Sequence, residues 1–348
     1  MKKNYTKQIL RIIFIIASIS SLYFVPWILV KAWILPLPDT VQEQLNEGIE
    51  LGFDGMIVYI DQAGKPPEFY AAGWHDRENK IPAYPEALFK IASISKLYDA
   101  VAITKLAKNK RLSLDETLAD YFPELVGRIE NAEKITLRMM VQHRSGIPNL
   151  TANPAFWSEP RDSTKDVLEF ALDLAADFEP DEDYGYSNTN YLLLSRIIEK
   201  VVGYSNFQYY KEEILTPLGL KNTFGSLREV NIDDVMSGYY VGIETDFKSE
   251  ENGMLATAED VGIFLRALND GTVFKEGEQE IYSSIYVYKH TGLVVGYQSF
   301  AEYHEDINTV IIQFNNTTNF HGYEWNLAEI IYSRIVKIVR SKIAQNND

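Results

Sequence analysis

The chain has 348 residues, 46% hydrophobic and 24% charged, which is long enough for a large core and too apolar for a disordered or collagen-like protein. It contains no cysteine, which excludes a disulfide scaffold, a thiolate metal site and a cysteine nucleophile, so any covalent chemistry needs another group. A formal net charge of −16 argues against a polyanion such as DNA or RNA as partner.

Residues 1–38 hold five basic side chains, and every acidic residue lies beyond them. Lys2, Lys3, Lys7 and Arg11 precede an uncharged run over 12–30, which as a helix would be roughly 28 Å long and would just span a bilayer core. Trp27, Lys31 and Trp33 at its far end form the belt expected where a helix leaves hydrocarbon. The positive-inside rule puts the N-terminus in the cytoplasm and the bulk of the chain in the periplasm or outside the cell. The following VKAWILPLPDT has no small-x-small cleavage site, so the segment reads as an uncleaved anchor, with Pro36-Leu37-Pro38 as a stiff stalk. The expected organisation is therefore a cytoplasmic start, transmembrane anchor and stalk over 1–38, and one globular domain over 39–348.

That domain opens with a predicted hairpin, strands over 55–60 and 68–74 around the turn DQAGKPP. A helix is expected to open near Ser93 and Lys96, since Ile94, Leu97, Val101 and Leu106 recur at helical intervals. Asn188 leads into YLLLSRIIEKVVG, a helical stripe ending at Gly203. Ser205 with Gln208, and Thr257 with Asp260, have the spacing of capping boxes. YVYKHTGLVVGYQSFAEY and NTVIIQFNN read as adjacent strands, and 325–339 as a last amphipathic helix. Strands near both ends and helices between predict one antiparallel sheet built from the two termini with a helical lobe inserted.

For chemistry, the five histidines lack H-E-x-x-H spacing, and neither a G-x-S-x-G elbow nor a G-x-x-x-x-G-K-[ST] loop is present. What remains is Ser93-Ile94-Ser95-Lys96. A spacing of three on a helix puts hydroxyl and amine on one face a turn apart, where the amine can take or hold the serine proton. Alone, this pattern arises by chance about once in a chain this long.

Five ordered blocks give it context: FKIASISKLYDAVAITKLAKNKRLSLDETLADYFPEL, ITLRMMVQHRSGIPN, YGYSNTNYLLLSRIIEKVVG, ENGMLATAEDVGIFLRALNDG and YKHTGLVVGYQS. Together, from about Leu51 to Val339, they resemble the serine β-lactamase and penicillin-binding-protein superfamily, in particular the class C β-lactamase-like hydrolases. The resemblance implies an α+β, β-lactamase/transpeptidase-like fold, its antiparallel sheet flanked by helices and joined to a helical lobe. It implies Ser93 as nucleophile, and Tyr186 with Lys96 as the base that takes its proton and returns it to the leaving group. Asn188 would hold the substrate amide, His290-Thr291-Gly292 would form the third motif on the sheet edge, and the backbone N–H groups of Ser93 and Leu293 would make the oxyanion hole. A phenol of pKa near 10 serves as a base at neutral pH only beside a cation, and Lys96 is the candidate cation.

No metal and no organic cofactor is implied, and the expected partners are a small or peptide substrate, peptidoglycan among them, and the membrane. The expected reaction is acyl transfer from a D-amino-acid peptide, a β-lactam or a small ester, the alternative being a catalytically silent relative that senses or scaffolds cell-wall peptides. His143 in HRSG reads as shaping a turn, and Glu259 and Asp260 as helix N-terminal charges. Three departures bear on substrate. His290 stands where penicillin-hydrolysing members often have Lys, and a mostly neutral imidazole that gains charge toward pH ~6 would then read a substrate carboxylate. The segment before that strand is short, and Pro180-Asp181 replaces a usual Pro-Gly.

Overall fold

The computed structural model describes residues 2–158, 166–250 and 253–347. Glu251 and Asn252, the first two residues of the fourth block, lie outside the described residues.

The N-terminal helix Lys2–Ser21 runs through one short turn, and then Pro26, which cannot donate a helical hydrogen bond, separates it from a second helix, Trp27–Ile34. The apolar run is therefore two elements where one helix was expected. The stretch long and apolar enough to cross a membrane is Lys7–Phe24, 18 residues with mean hydropathy 1.5 and no part of it buried against the domain. The second helix instead packs on the C-terminal helix Glu324–Asn347, with Ala32 buried and Leu29 against the same core. Arg334 from that C-terminal helix donates to the carbonyl oxygens of Leu35 and Pro36, both at 2.8 Å, and pairs with Glu47 at 3.0 Å, so the Pro-Leu-Pro segment begins tied to the domain.

Six strands form the main sheet, all antiparallel, in the order Ile81–Pro82, Glu68–Asp76, Gly55–Gln62, Thr309–Asn315, Tyr297–His304 and His290–Val294. The hairpin from the start of the domain thus lies beside the strands from its end, as the sequence pattern predicts. The central strand Gly55–Gln62 is apolar almost throughout because it is covered on both faces. Met56, Val58 and Ile60 pack under the helices Val41–Glu50 and Glu324–Asn347, while Ile57 and Tyr59, pointing the other way, join the core of the helical lobe.

The helix Asn188–Val202 ends where expected, with Gly203 left-handed at φ +87°. Ser205 and Thr257 each accept the predicted backbone N–H, from Gln208 and Asp260, at 3.2 Å. Both boxes are nonetheless only half formed, since the Gln208 side chain donates to Glu212 at 2.7 Å and does not reach back to the cap. The Asp260 carboxylate turns to the Asn222 N–H and the Thr223 hydroxyl, both at 2.8 Å, and so ties its helix Ala258–Asp270 to a neighbouring segment.

Candidate active site

Ser93 lies in a single tight turn, Ala92–Ile94, that opens the helix Ser95–Lys108. Ala92, immediately before it, is held left-handed at φ +49°, a conformation that costs an alanine roughly 1–2 kcal/mol and that the surrounding contacts must impose. One such contact is the Ser299 hydroxyl, which donates to the Ile91 carbonyl at 3.1 Å and ties the turn to the sheet. One turn further on, the buried Lys96 donates to Ser93 Oγ at 3.2 Å and to Asn188 Oδ1 at 2.9 Å. The Tyr186 hydroxyl stands 2.8 Å from Ser93 Oγ. The Lys96 ammonium also faces the rings of Tyr186 and Tyr191 at 5.2 and 5.4 Å.

Tyr186 and Asn188 owe their position to the loop over 143–151. His143 Nδ1 accepts the Ser187 N–H at 3.2 Å, which requires that nitrogen to be unprotonated. Burial, followed by the nearby Lys96 charge and His290, pushes this imidazole down to about 3. Asn149 Oδ1 accepts from the Asn188 N–H at 3.1 Å and its side-chain amide at 3.4 Å, and Thr151 Oγ1 accepts from the same amide at 3.1 Å. The Thr189 hydroxyl donates to the Pro148 carbonyl at 2.6 Å while accepting from the Leu150 N–H at 2.9 Å. Asp181, at the usual Gly position, is left-handed at φ +70°, and Arg144 donates to its carboxylate at 2.6 Å. Asp is among the side chains that tolerate this region, so the turn survives the replacement.

The third element is the edge strand His290–Val294. A Cβ on Gly292 would lie 2.3 Å from Ser299 Oγ, 2.4 Å from the Ile91 carbonyl oxygen and 3.1 Å from Ala92 Cβ, so glycine is what lets the strand approach the nucleophile turn. Thr291 and Leu293 on either side are exposed. His290 is half-buried and both of its ring nitrogens are committed, Nδ1–H donating to the Thr291 carbonyl at 2.5 Å and Nε2 accepting from the Tyr286 hydroxyl at 3.1 Å. Burial drives its pKa down to about 4 although the Thr291 bond pulls the other way, so the ring is neutral at pH 6. A gain of charge near that pH, expected from an ordinary histidine, is absent because the site desolvates the ring.

The eight residues singled out from sequence thus fall on three elements that meet at Ser93. A groove of about 930 Å³ runs along the edge strand past Tyr184, Tyr186, Tyr288, His290 and Thr291, and a smaller one of about 330 Å³ lies between His143, Tyr184, Tyr286 and Val287. Three further residues escaped the sequence reading. Asn149 stands inside the HRSGIPN block and supports Asn188. Tyr286 lies four residues before His290 and hydrogen-bonds its Nε2, with no sequence signal beyond aromatic density. Asp99 is a buried carboxylate one turn after Lys96, and the Tyr210 hydroxyl donates to it at 2.5 Å. It carried no sequence signal, since the helix Ser95–Lys108 also holds Lys96, Lys105 and Lys108.

Comparison with known proteins identifies the family. The β-lactamase family model matches residues 38–328. Protein flp of Staphylococcus aureus (strain MW2) is 31% identical over 193 residues, 54% of this chain and 39% of that protein. Penicillin-binding protein 4* of Bacillus subtilis (strain 168) is 28% identical over 214 residues, 60% and 46%. The chain thus spans less than half the length of these curated relatives. Among solved structures, D-amino acid amidase from Ochrobactrum anthropi SV3 superposes with a TM-score of 0.75 at 22% identity, over 87% of this chain and 98% of that one. A class C β-lactamase from Rhodobacter sphaeroides gives 0.68 at 21%, over 88% and 100%. The expected α+β, β-lactamase/transpeptidase-like fold is the one observed, and the chain belongs to the β-lactamase family, a family of serine hydrolases.

Proposed function

We propose that the chain is a membrane-anchored serine hydrolase whose domain over 39–348 works outside the cytoplasm and cleaves amide or ester bonds through a Ser93 acyl-enzyme. The observation that carries this reading is the convergence on one hydroxyl: Ser93 Oγ lies 2.8 Å from the Tyr186 oxygen and 3.2 Å from the Lys96 nitrogen. In the proposed reaction Ser93 Oγ attacks the substrate carbonyl carbon as its proton passes to Tyr186. Collapse of the tetrahedral intermediate breaks the carbonyl–nitrogen or carbonyl–oxygen bond, and Tyr186 returns the proton to the leaving group. Water then adds to the ester by the same route, releasing the acid and restoring the Ser93 hydroxyl. The backbone N–H groups of Ser93 and Leu293 would stabilise the oxyanion. Asn188, oriented by Asn149, would hold the substrate amide, with Thr291 and Gly292 lining its path. The stretch Lys7–Phe24 would supply the anchor, N-terminus in the cytoplasm.

The site favours substrates without a carboxylate beside the scissile bond. His290 is neutral and has no ring nitrogen to spare, and the groove beside it is walled by Tyr184, Tyr186 and Tyr288, while the lysine in its lining, Lys289, is paired with Glu302 at 2.5 Å. An amide or ester of a D-amino acid, aromatic ones included, fits this description better than a penicillin, and a D-amino acid amidase among the solved relatives agrees with it. The test is a panel of D-phenylalanine amide, a small neutral ester and a penicillin, assayed with wild type, Ser93→Ala and His290→Lys. The expected result is turnover of the first two, none with Ser93→Ala, and a roughly tenfold to hundredfold gain on the penicillin alone with His290→Lys, the worth of a cationic hydrogen bond to a carboxylate. Turnover that survives Ser93→Ala, or wild type preferring the penicillin, would overturn this reading.

A further inference from the structure

Lys96 is buried, yet the two hydrogen bonds its ammonium makes end on neutral oxygens, Ser93 Oγ and Asn188 Oδ1. A buried carboxylate that feels its charge lies one turn further along the helix. Asp99 follows by three residues on the same helix, hence on the same face, and is itself buried. Packing alone does not call for an acid there, since burying a carboxylate on a single neutral donor is unfavourable. We propose that Asp99 is a positioning residue of the active site, a fixed negative charge behind Lys96 that keeps the proton shared by Lys96 and Tyr186 on the lysine, and so leaves Tyr186 as the base toward Ser93.

The physical basis is Coulomb attraction inside a site of low dielectric. With one proton distributed between an amine and a phenol, the two arrangements are ammonium with phenolate, or amine with phenol. An anion nearer the amine favours the first arrangement. Tyr210 keeps that anion charged by donating to it at 2.5 Å, and is itself held by the Asn206 amide at 3.1 Å. The other groups facing Asp99 are weak acids or already paired. Tyr191 comes from the helix Asn188–Val202 and Tyr286 from the segment after the helix Glu278–Ser283, with Tyr282 behind them. Glu199 acts on Tyr210 from beyond. Lys105 and Glu278, further along the helix, neutralise each other at 3.0 Å. Burial lifts the Asp99 carboxyl to about 6, against the pull of Tyr210 and Lys96.

This inference rests on the function proposed above, and the experiment separates the two. The rate of Ser93 labelling by a neutral fluorophosphonate is measured from pH 5 to 9 for the full chain in detergent, as wild type, Asp99→Asn and Tyr210→Phe. Asp99→Asn keeps the shape and the acceptor for Tyr210 but removes the charge. Its plateau rate should fall about tenfold, and its acid limb should move to lower pH, because an anion no longer favours the protonated pair. Tyr210→Phe removes the donor that keeps Asp99 ionised, so its rate should match Asp99→Asn at pH 6 and return to wild type at pH 8. Equal slowing at every pH, or profiles unchanged by both substitutions, would overturn the role given to Asp99. If Asp99→Asn fails to fold, the pH-dependent Tyr210→Phe result decides alone. Absence of labelling in wild type would instead contradict both proposals.

Discussion

The two ends of the helix Ser95–Lys108 treat buried charge in opposite ways. Toward its C-terminus Lys105 meets Glu278 directly at 3.0 Å and adds the Val273 carbonyl at 2.8 Å, both side chains only 2% exposed, and the pair locks the helix Glu278–Ser283 onto its neighbour. At its N-terminus Lys96 and Asp99 are also buried but are hydrogen-bonded to other groups, Lys96 to Ser93 and Asn188, Asp99 to Tyr210. One pair is saturated and serves stability. The other keeps a cation in contact with the nucleophile, where its proton and its field remain usable.

The sharpest way to break this comparison is to remove each lysine. Lys96→Met should lower kcat/KM by about a thousandfold or more, since general acid–base assistance contributes 10²–10⁴, and should cost less stability than loss of Lys105 because Asp99 keeps its hydrogen bond from Tyr210. Lys105→Met should do the reverse, leaving Glu278 buried and uncompensated at a cost of about 3–5 kcal/mol, with normal labelling of the folded fraction. Denaturant titration and labelling of the same two samples check both.

A smaller effect is expected at the approach of strand to turn. In Gly292→Ala the new methyl would overlap Ser299 Oγ and the Ile91 carbonyl, so the edge strand must retreat from Ser93. A displacement near 1 Å costs about a hundredfold in rate, and activity should drop by roughly that factor with only about 1–3 kcal/mol lost in stability. Equal activity at lower stability would show that the strand's closeness matters only for packing.

The smallest effect is on the stability of Asp99→Asn. Because burial raises the Asp99 carboxyl to about 6 from an ordinary 3.8, the folded state binds this proton more tightly than the unfolded one. Wild-type stability should therefore fall as pH rises from 3.8 through 6, by about 3 kcal/mol in this contribution, and stay at that lower level above it. Asp99→Asn should be about 1–3 kcal/mol more stable than wild type at pH 7.5, and the gain should fade below pH 5. Chemical denaturation at both pH values measures it, and a variant less stable at pH 7.5 would place Asp99 with Glu278 as a structural charge.

Much of this arrangement was legible in the chain, and what was not has physical reasons. The helix Asn188–Val202 was readable because its apolar stripe has the helical period and Gly203 marks its end. Most of the main sheet was readable from β-branched and aromatic runs between turn residues, but the edge strand Ile81–Pro82 was not, and YVYKHTGLVVGYQSFAEY divides into two paired strands, His290–Val294 and Tyr297–His304. Asp99 was not, because residues 96–106 are buried on every side, which erases the amphipathic stripe against which an inward-facing acid would stand out. The break at Pro26 was missed because average hydropathy over a window is blind to a single proline within it. The neutrality of His290 depends on its burial and on the nearby Lys96 charge, neither of which local sequence encodes.

The most direct measurement is the intact mass and peptide map of the full-length protein after reaction with a fluorophosphonate. A single adduct is expected in wild type and in Ser95→Ala, mapping to the peptide that carries Ser93, and none is expected in Ser93→Ala. An adduct that persists without the Ser93 hydroxyl, or that maps to another serine in wild type, would contradict the account.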